Sequence, residues 1–349
     1  MESFPFTILD GRTSPPTNDV RECLRRDAVS VVRLYDENDP ILDEYEEGID
    51  ECASMLRADN GTPNGARGMG GITKGYGGAC HPKVATIRLD PKARGVHAAI
   101  YGAQAHEVCT GWDAVGILGT DAVRKPRART PPEDPSKAFF DLTGGSLQPH
   151  VDVGKGSYGF NMEQRMKEVH PDFHSCVQSF LVCRSVSTGG ATLVISPGPW
   201  YDNMVDTTHF HFENGRDFCT ATEEGYAHFH GTWRAIDNVP RGCLVLWLSR
   251  APHGNKLADV GVDPQRRVVY ISWQMRTLVP TQEERDALTE KKMNAILSGG
   301  TTDHWATHVP KVHRGSHMSN GKKTTSVIFS RDAPPEYDEE LIERIREAL

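Results

Sequence analysis

The chain has 349 residues, of which 38% are hydrophobic and 25% charged, and its formal net charge is -8. This composition is typical of a globular protein, and the negative charge argues against nucleic acid or an anionic membrane as a partner. No apolar run approaches the ~20 residues of a membrane-spanning helix. The acidic start, MESFPFTILD, lacks the apolar stretch of a signal peptide.

The cysteines indicate the redox environment. Eight are scattered along the chain, and none forms a Cys-x-x-Cys pair. In a chain of this length, such spacing predicts reduced and mostly buried thiols rather than a zinc ribbon or a disulfide framework. We therefore expect a cytoplasmic protein.

Helical and extended patterns alternate in the first third of the chain. Residues 17–27 predict a helix, 28–34 a short strand and 40–57 a second helix with its apolar residues near one face. The glycine-rich segment 65–82 predicts a flexible loop or an active-site cover, and residues 92–108 predict a further helix.

A basic run, RKPRAR at 124–129, lies in a proline-rich stretch and is followed at once by PPEDP. We expect a solvated loop there. An anion-binding lip over a site is the alternative that the sequence leaves open.

Short apolar runs separated by Gly, Pro and Asp dominate the middle of the chain, and their even spacing is typical of a double-sheet β-barrel or jelly roll. Helical patterns return at 281–297 and 338–349, with a polar stretch at 309–335 that predicts a surface loop. The strands are predicted near 112–118, 145–151, 177–184, 190–196, 227–235, 242–248 and 267–273.

The sequence HVD places His150 and Asp152 two residues apart on a predicted strand. Side chains at i and i+2 of a strand share one face, so both can bind one metal ion. The run CLVLWLS leads directly into RAPHGN, which puts His253 at the end of another strand. Two histidines and one carboxylate with open positions are the facial triad of non-haem iron(II) oxygenases.

An arginine beside such a triad can hold the distal carboxylate of a 2-oxo acid in a bidentate pair. Arg266 and Arg267 open the strand RRVVYISW. We favour Arg266, because its strand face continues through Val268 and Tyr270, and Arg267 is the alternate. Gln148 shares the strand face of His150 and is a second candidate for binding the oxo acid, although a half-buried polar residue would look the same.

Four passages in this order resemble the iron(II)/2-oxoglutarate-dependent dioxygenases of the phytanoyl-CoA dioxygenase-like group. They are VRECLRRDAVSVVRL at 20–34, HVD at 150–152, VQSFLVCRSVSTGGATLVISPG at 177–198 and VPRGCLVLWLSRAPHGN at 239–255. The likeness covers roughly residues 17–275.

This resemblance implies a single domain that is mainly β with flanking helices, built on a double-stranded β-helix (jelly-roll or cupin-like) core. We expect the core at 111–275, an N-terminal elaboration at 17–110 and C-terminal helices and a loop at 276–349. It implies Fe(II) as the metal, 2-oxoglutarate and O2 as co-substrates, and hydroxylation of a C–H bond in a small or conjugated molecule with release of succinate and CO2. His150, Asp152 and His253 would be the metal ligands and catalytic residues.

The chain departs from many relatives, which have Pro-Gly-Ser-His where it has Pro197-Gly198-Pro199-Trp200, and the region after Gly198 looks enlarged. The substrate therefore cannot be transferred from a relative. Two rivals stay open: a catalytically silent binding module of the same fold, and a metal enzyme without an oxo acid. His209/His211 and His228/His230 are competing His-x-His pairs for a cupin-type metal site, but neither is followed by a glutamate at useful spacing, so we expect surface or cavity-lining residues there.

Overall fold

A computed structural model describes most of the chain, including both ends of the predicted core and every predicted metal ligand. The described residues are 2–55, 72–73, 79–118, 147–154, 156–170, 172–203, 208–211, 217–256, 258–259, 261–309, 312, 317–319, 322–324 and 336–349. The basic run at 124–129 and most of the glycine-rich segment 65–82 lie outside them.

The described strands divide into two main sheets and two short pairs. In chain order they are β1 (Ile8–Asp10), β2 (Val29–Arg33), β3 (Ile72–Thr73), β4 (Val108–Thr110), β5 (Val115–Leu118), β6 (Leu147–Val151), β7 (Val177–Val182), β8 (Thr192–Ile195), β9 (Cys219–Thr220), β10 (Arg234–Ala235), β11 (Cys243–Leu248), β12 (His253–Lys256), β13 (Arg266–Ile271), β14 (Trp273–Met275), β15 (His317–Ser319) and β16 (Lys322–Thr324).

The described helices flank these sheets. They are α1 (Thr17–Asp27), α2 (Pro40–Met55), α3 (Pro82–Arg88), α4 (Pro91–Ile100), α5 (Tyr158–Val169), α6 (Glu223–His228), α7 (Gln282–Leu297) and α8 (Glu339–Ala348), with 3-10 turns at Ala105–Glu107 and Arg276–Leu278. Among the described helices, none combines the length and the apolar character needed to cross a membrane.

The larger sheet has the strand order β1-β2-β11-β7-β13-β5-β3 among the described residues. Strands β7, β11 and β13 are buried at every position. Their sequences are VQSFLV, CLVLWL and RRVVYI. A strand that is covered on both faces buries both sets of side chains, so polar and apolar residues do not alternate strictly along it. Helices α2 and α3 contact β13 on one side of this sheet.

The smaller sheet has the order β10-β8-β12-β6-β9 in the same part of the chain. It packs against the other side of the larger sheet, where the Trp247 ring of β11 lies 5.8 Å from the ring of His253. Side chains of β13 and β12 also meet, since Asn255 Nδ2 donates a hydrogen bond to the Tyr270 hydroxyl at 3.3 Å. The predicted core tryptophans Trp247 and Trp273 are both buried.

Most predicted elements are confirmed, and two are wrong. The stretch 309–335, predicted as a loop, contains the short pair β15–β16 and lies largely outside the described residues. The helix predicted over 92–108 ends at Ile100, because Gly102 adopts a left-handed φ of 71°, and a 3-10 turn and β4 follow. The strand predicted at 227–235 is instead the end of α6 and the short strand β10. Thr222 caps that helix by accepting a hydrogen bond from the Gly225 amide at 3.0 Å, which favours helix over strand.

The sequence also missed β12, which His253 opens rather than ends. All eight cysteines are free, and all but the half-buried Cys23 are buried, as predicted. The single domain and its division at residues 110 and 275 remain predictions.

A buried ion pair fixes the turn between β11 and β12. Arg250 donates from Nε and Nη2 to Glu163 of α5, at 3.0 Å from Nε, and from Nη1 to the Tyr201 carbonyl at 3.1 Å. The second Glu163 oxygen accepts from the Cys176 amide at 2.9 Å. Both charged side chains are almost fully buried, at 7% and 0% exposure. Within the described residues, each charge is therefore satisfied mainly by the other and by nearby backbone groups.

We expect Glu163→Ala to lower the free energy of unfolding by roughly 3–5 kcal/mol, because it leaves the Arg250 charge buried without its partner. Urea unfolding followed by circular dichroism measures this change. The double variant Glu163→Leu/Arg250→Met is expected to lose much less. As a matched control, Glu290→Ala removes the exposed pair with Arg346 and is expected to cost less than about 1 kcal/mol. Equal losses at the two pairs would contradict this account.

Lys292 of α7 is completely buried, and its ammonium donates to the carbonyls of Thr110, at 2.9 Å, and Ala306. It therefore ties the stretch after α7 to β4. Burial lowers the pKa of Lys292 to about 8, because the charged form loses its hydration.

This pKa shift predicts the direction in which stability changes with pH. The folded-state pKa lies below that of a free lysine, near 10.4, so the unfolded chain binds more protons between the two values. The contribution of Lys292 to stability is therefore greatest above pH ~10.4 and decreases as the pH falls to about 8. We expect the stability difference between wild type and Lys292→Met to shift in favour of the wild type as the pH rises from 8 to 10. A pH-independent difference in parallel urea titrations would refute it.

Candidate metal centre

His150, Asp152 and His253 come together on the smaller sheet. Strands β6 and β12 are antiparallel, and His150 pairs directly with His253 in their register. The Asp152 carboxylate lies 3.8 Å from His150 Nε2 and 3.3 Å from His253 Nε2. One ligand atom from each residue lies within 4.8 Å of the other two. Across the described residues this is the one group of its kind.

All three side chains are buried, with exposures of 3% for His150, 5% for Asp152 and 4% for His253. Ligands bonded at about 2.1 Å to one ion lie no more than about 4.2 Å apart, so the two distances to Asp152 fit a shared ion. The donor set of two nitrogens and one oxygen suits a first-row transition metal.

The orientation of His253 is fixed by the turn that precedes it. Its Nδ1 donates a hydrogen bond to the Ala251 carbonyl at 2.9 Å. Because a carbonyl oxygen only accepts, the neutral ring carries its proton on Nδ1 and leaves the Nε2 lone pair facing Asp152. This is the usual way in which an outer partner selects the metal-binding tautomer.

Asp152 is positioned by neighbours on β7 and after β11. Its amide donates to the Ser249 carbonyl at 2.8 Å, and its Oδ2 accepts from Gln178 Nε2 at 2.8 Å. Gln178 Nε2 also lies 3.2 Å from Ser249 Oγ. Burial alone would raise the pKa of Asp152, but the adjacent imidazoles of His150 and His253, with a smaller contribution from His304, hold that pKa well below its usual range. The carboxylate is therefore ionised and attracts a cation.

Phe218 covers His150, with ring centroids 4.5 Å apart and planes inclined by 33°. It comes immediately before β9, which pairs with β6 next to the triad. Its side chain is 47% exposed, which is unusual for a large apolar residue. An apolar ring that is both exposed and beside a buried polar cluster marks the mouth of the site.

The two candidate arginines lie on opposite faces of the larger sheet. Arg266 is completely buried, donates from Nη2 to the Tyr270 hydroxyl at 3.0 Å, and lies over the Phe180 ring at 5.3 Å. Arg267 instead binds Asp50 of α2 and donates to the Leu118 carbonyl at 2.6 Å. Arg266 thus faces the smaller sheet, as the period of the strand predicts.

Tyr270 joins Arg266 to the triad strand. Its hydroxyl accepts from Asn255 Nδ2, and Asn255 follows His253 by two residues on β12, so both share one strand face. Asn255 Oδ1 is buried and has no hydrogen-bond partner among the described residues. A buried acceptor without a partner is costly, so this position is suited to a bound ligand.

The remaining candidates have different outcomes. Gln148 lies on β6, but its side chain is outside the described part of the structure, so its role stays a prediction. His209 and His228 stack with centroids 4.0 Å apart and planes inclined by 17°. Stacked rings direct their nitrogens along parallel planes rather than at one ion, and neither His-x-His pair forms a metal group within the described residues.

Sequence reasoning missed Gln178 and Tyr270 as parts of the site. Both were hidden in apolar strands. Their signal was present, because a polar residue inside VQSFLV or RRVVYI needs a buried partner. Nothing local in the sequence indicates which partner.

No family model matches the chain, and no curated protein matches it. Several solved structures match the chain. GIG2 (DUF1479) from Candida albicans is 13% identical with a TM-score of 0.50, over 82% of this chain and 70% of that one. At this identity the likeness is one of fold alone.

Two further matches have lower TM-scores. The epimerase SnoN, solved with Fe3+, alpha-ketoglutarate and nogalamycin RO, is 10% identical with a TM-score of 0.45, over 76% of this chain and 90% of that one. EctD from S. alaskensis, solved with 2-oxoglutarate and 5-hydroxyectoine, is 13% identical with a TM-score of 0.42, over 79% and 82%.

We expect Gln178→Leu to weaken metal binding by roughly 10–100-fold, because Asp152 loses the donor that holds its carboxylate in place. Anaerobic titration with Fe(II), read by competition with a coloured chelator, gives the Kd. Gln282→Leu, on the exposed start of α7, is the control and is expected to leave the Kd unchanged. If Gln178→Leu bound iron as tightly as the wild type, Gln178 would have only a packing role.

Proposed function

We propose that this protein is an Fe(II)- and 2-oxoglutarate-dependent oxygenase that hydroxylates a small-molecule or conjugated substrate. The observation that carries this proposal is a buried His150-Asp152-His253 cluster on the same side of the sheets as a buried arginine. We further propose that the two packed sheets are the halves of a double-stranded β-helix, and that the phytanoyl-CoA dioxygenase-like group is the nearest kind of relative.

The residues present fit the metal. Two neutral imidazoles and one ionised carboxylate would hold Fe(II) and leave its remaining positions to small molecules. Iron bound in this way supplies the activation of O2 that an unactivated C–H bond requires, with 2-oxoglutarate oxidised to succinate and CO2.

The residues present also fit a 2-oxo acid. Arg266 would pair with its distal carboxylate, since a buried guanidinium gains a bidentate partner there. Tyr270 holds that guanidinium from the side. Asn255 offers an amide beside it, and the amide can present either Oδ1 or Nδ2 to the ligand. Because Asn255 lies two residues beyond His253, the arginine pocket and the triad face one space.

The protein itself would bind, orient and exclude water. Gln178 and the Ala251 carbonyl keep the ligands in one geometry, so little reorganisation is needed during turnover. Trp247 and Phe180 provide an apolar wall that strengthens the pairing of charges inside. The expected partners are a small-molecule substrate and O2, rather than nucleic acid or a membrane, in the cytoplasm.

The test is anaerobic. Fe(II) and then 2-oxoglutarate are added to metal-free protein, and the weak visible charge-transfer band of a chelated 2-oxo acid is followed. We expect the band in the wild type, its loss in His150→Ala, and at least a tenfold weaker 2-oxoglutarate affinity in Arg266→Ala. Arg267→Ala is the matched control, because its guanidinium faces α2, and it is expected to behave like the wild type.

The other outcomes identify the rival functions. Iron binding without the band would favour a metal enzyme that uses no 2-oxo acid. Failure to bind iron would favour a binding module of the same fold. Either result overturns the proposal.

A further inference from the structure

The stretch TTDHWATH, residues 301–308, is held against the core from two sides and is called here the 301–308 segment. Thr302 exchanges two hydrogen bonds with Trp112: its amide donates to the Trp112 carbonyl at 2.7 Å, and its hydroxyl accepts from the Trp112 amide at 3.1 Å. Gln274 Oε1 accepts from the Ala306 amide at 2.9 Å. The segment is therefore fixed by buried hydrogen bonds rather than by surface packing.

Its other side packs on the start of α5, directly after the metal-ligand strand. The Tyr158 hydroxyl donates to the Thr307 carbonyl at 2.9 Å. Gly159 faces Trp305 so closely that a Cβ there would lie 2.4 Å from the indole, which explains the glycine. The Gly159 amide donates to Asp217 Oδ1 at 2.8 Å, which ties Phe218 to the same corner.

His304 occupies the middle of this segment. Its carbonyl accepts from Ser272 Oγ, its ring lies 4.3 Å from the ring of Trp305, and the residue before it, Asp303, has a φ of 72°. Aspartate is one of the few non-glycine residues that adopt this left-handed region, which marks a sharp change of chain direction just before His304. The Trp305 indole packs on Gly159, whose amide binds Asp217, the residue before Phe218. Because the Phe218 ring covers His150, the middle of this segment lies on the Phe218 side of the metal centre.

The Nε2 atom of His304 is buried and has no hydrogen-bond partner within the described residues. A buried ring nitrogen in that state costs free energy that a bound molecule would recover. His304 lies at the opposite end of the triad from Arg266. Asn255 lies two residues beyond His253 on β12, and Arg266 is the first residue of β13. Ser272, by contrast, follows the last residue of β13, at the opposite end of that strand. Asp152 follows β6 and Phe218 precedes β9, and the pairing of Val151 with Cys219 puts both residues at the same end of this strand pair.

We propose that His304 and Phe218 form the substrate-binding face of the metal centre. The proposal rests on the function proposed above, since it takes the Arg266 end for the 2-oxo acid and leaves the opposite end for the substrate. Phe218 would pack against a flat or ring-shaped portion of the substrate, and His304 would hydrogen-bond an oxygen on it. The chemical class is a compact ring compound that carries hydroxyl or carbonyl oxygens, rather than a long acyl chain.

The experiment measures binding without turnover. Protein loaded with Mn(II) and 2-oxoglutarate is mixed, under anaerobic conditions, with monosaccharides, nucleosides, phenols and cyclic amino acids. Octanoate and palmitoyl-CoA are the acyl probes. Paramagnetic broadening of ligand NMR lines reports molecules bound beside the metal. We expect at least one ring compound to be broadened, and its Kd to rise at least tenfold in His304→Ala and in Phe218→Ala. His304→Gln, which can still hydrogen-bond, should recover part of the loss.

Two controls separate this proposal from the one on which it depends. Mn(II) and 2-oxoglutarate affinities should be unchanged in His304→Ala, whereas loss of either in the wild type would mean that the proposed function itself has failed. His106→Ala, an exposed histidine on the 3-10 turn Ala105–Glu107, should bind the ring compound like the wild type. Broadening of the acyl probes alone, of no probe at all, or of ring compounds equally in His304→Ala would overturn the substrate-binding role.

Discussion

The direct pairing of His150 with His253 across β6 and β12 is the constraint on which the candidate site depends. In an antiparallel ladder, a slip of one residue would turn every side chain to the opposite face. The register is fixed from both sides, because β12 also pairs with β8 from His253 to Lys256. The irregularity between His253 and Asn255 on the β6 side is absorbed without moving the histidine. Three side chains from two strands thereby reach one point with little freedom.

The polar groups around that point connect two sheets that are otherwise joined by apolar packing. Gln178 belongs to the larger sheet and binds the carboxylate of the smaller one, and Tyr270 does the same for Asn255. Polar groups buried between sheets are costly unless they are satisfied, so these bonds specify one relative position of the sheets. The fold and the site are in this sense parts of one arrangement, since the residues that hold the ligands also determine how the layers meet.

Much of this could be read from the sequence, and the limits are physical. Strand period 2 placed His150 with Asp152 and separated Arg266 from Arg267, because both inferences need only local geometry. The predictions for 92–108 and 227–235 were wrong because a left-handed glycine ends the first helix and a helix cap starts a helix in the second stretch. Over a few residues, such local signals outweigh the periodic spacing of apolar residues. Gln178 and His304 could not be placed, because their partners are distant in sequence. The sequence TTDHWATH does not indicate which groups the histidine faces. That is decided in the folded structure, where Trp112 and Ser272 position this stretch.

The long sequence separations in this structure have a consequence for how the protein folds. Strand β2 lies beside β11, more than two hundred residues later, and the 301–308 segment returns to Trp112 from a similar distance. Such non-local contacts close large loops before they gain any packing, so folding is slow and the centre assembles late. A ribosome-bound chain would expose β6 and its two ligands long before β12 and the 301–308 segment emerge. The His150-Asp152-His253 cluster can therefore form only after β12 has left the ribosome, so correct pairing of β6 must wait for a strand that is made much later.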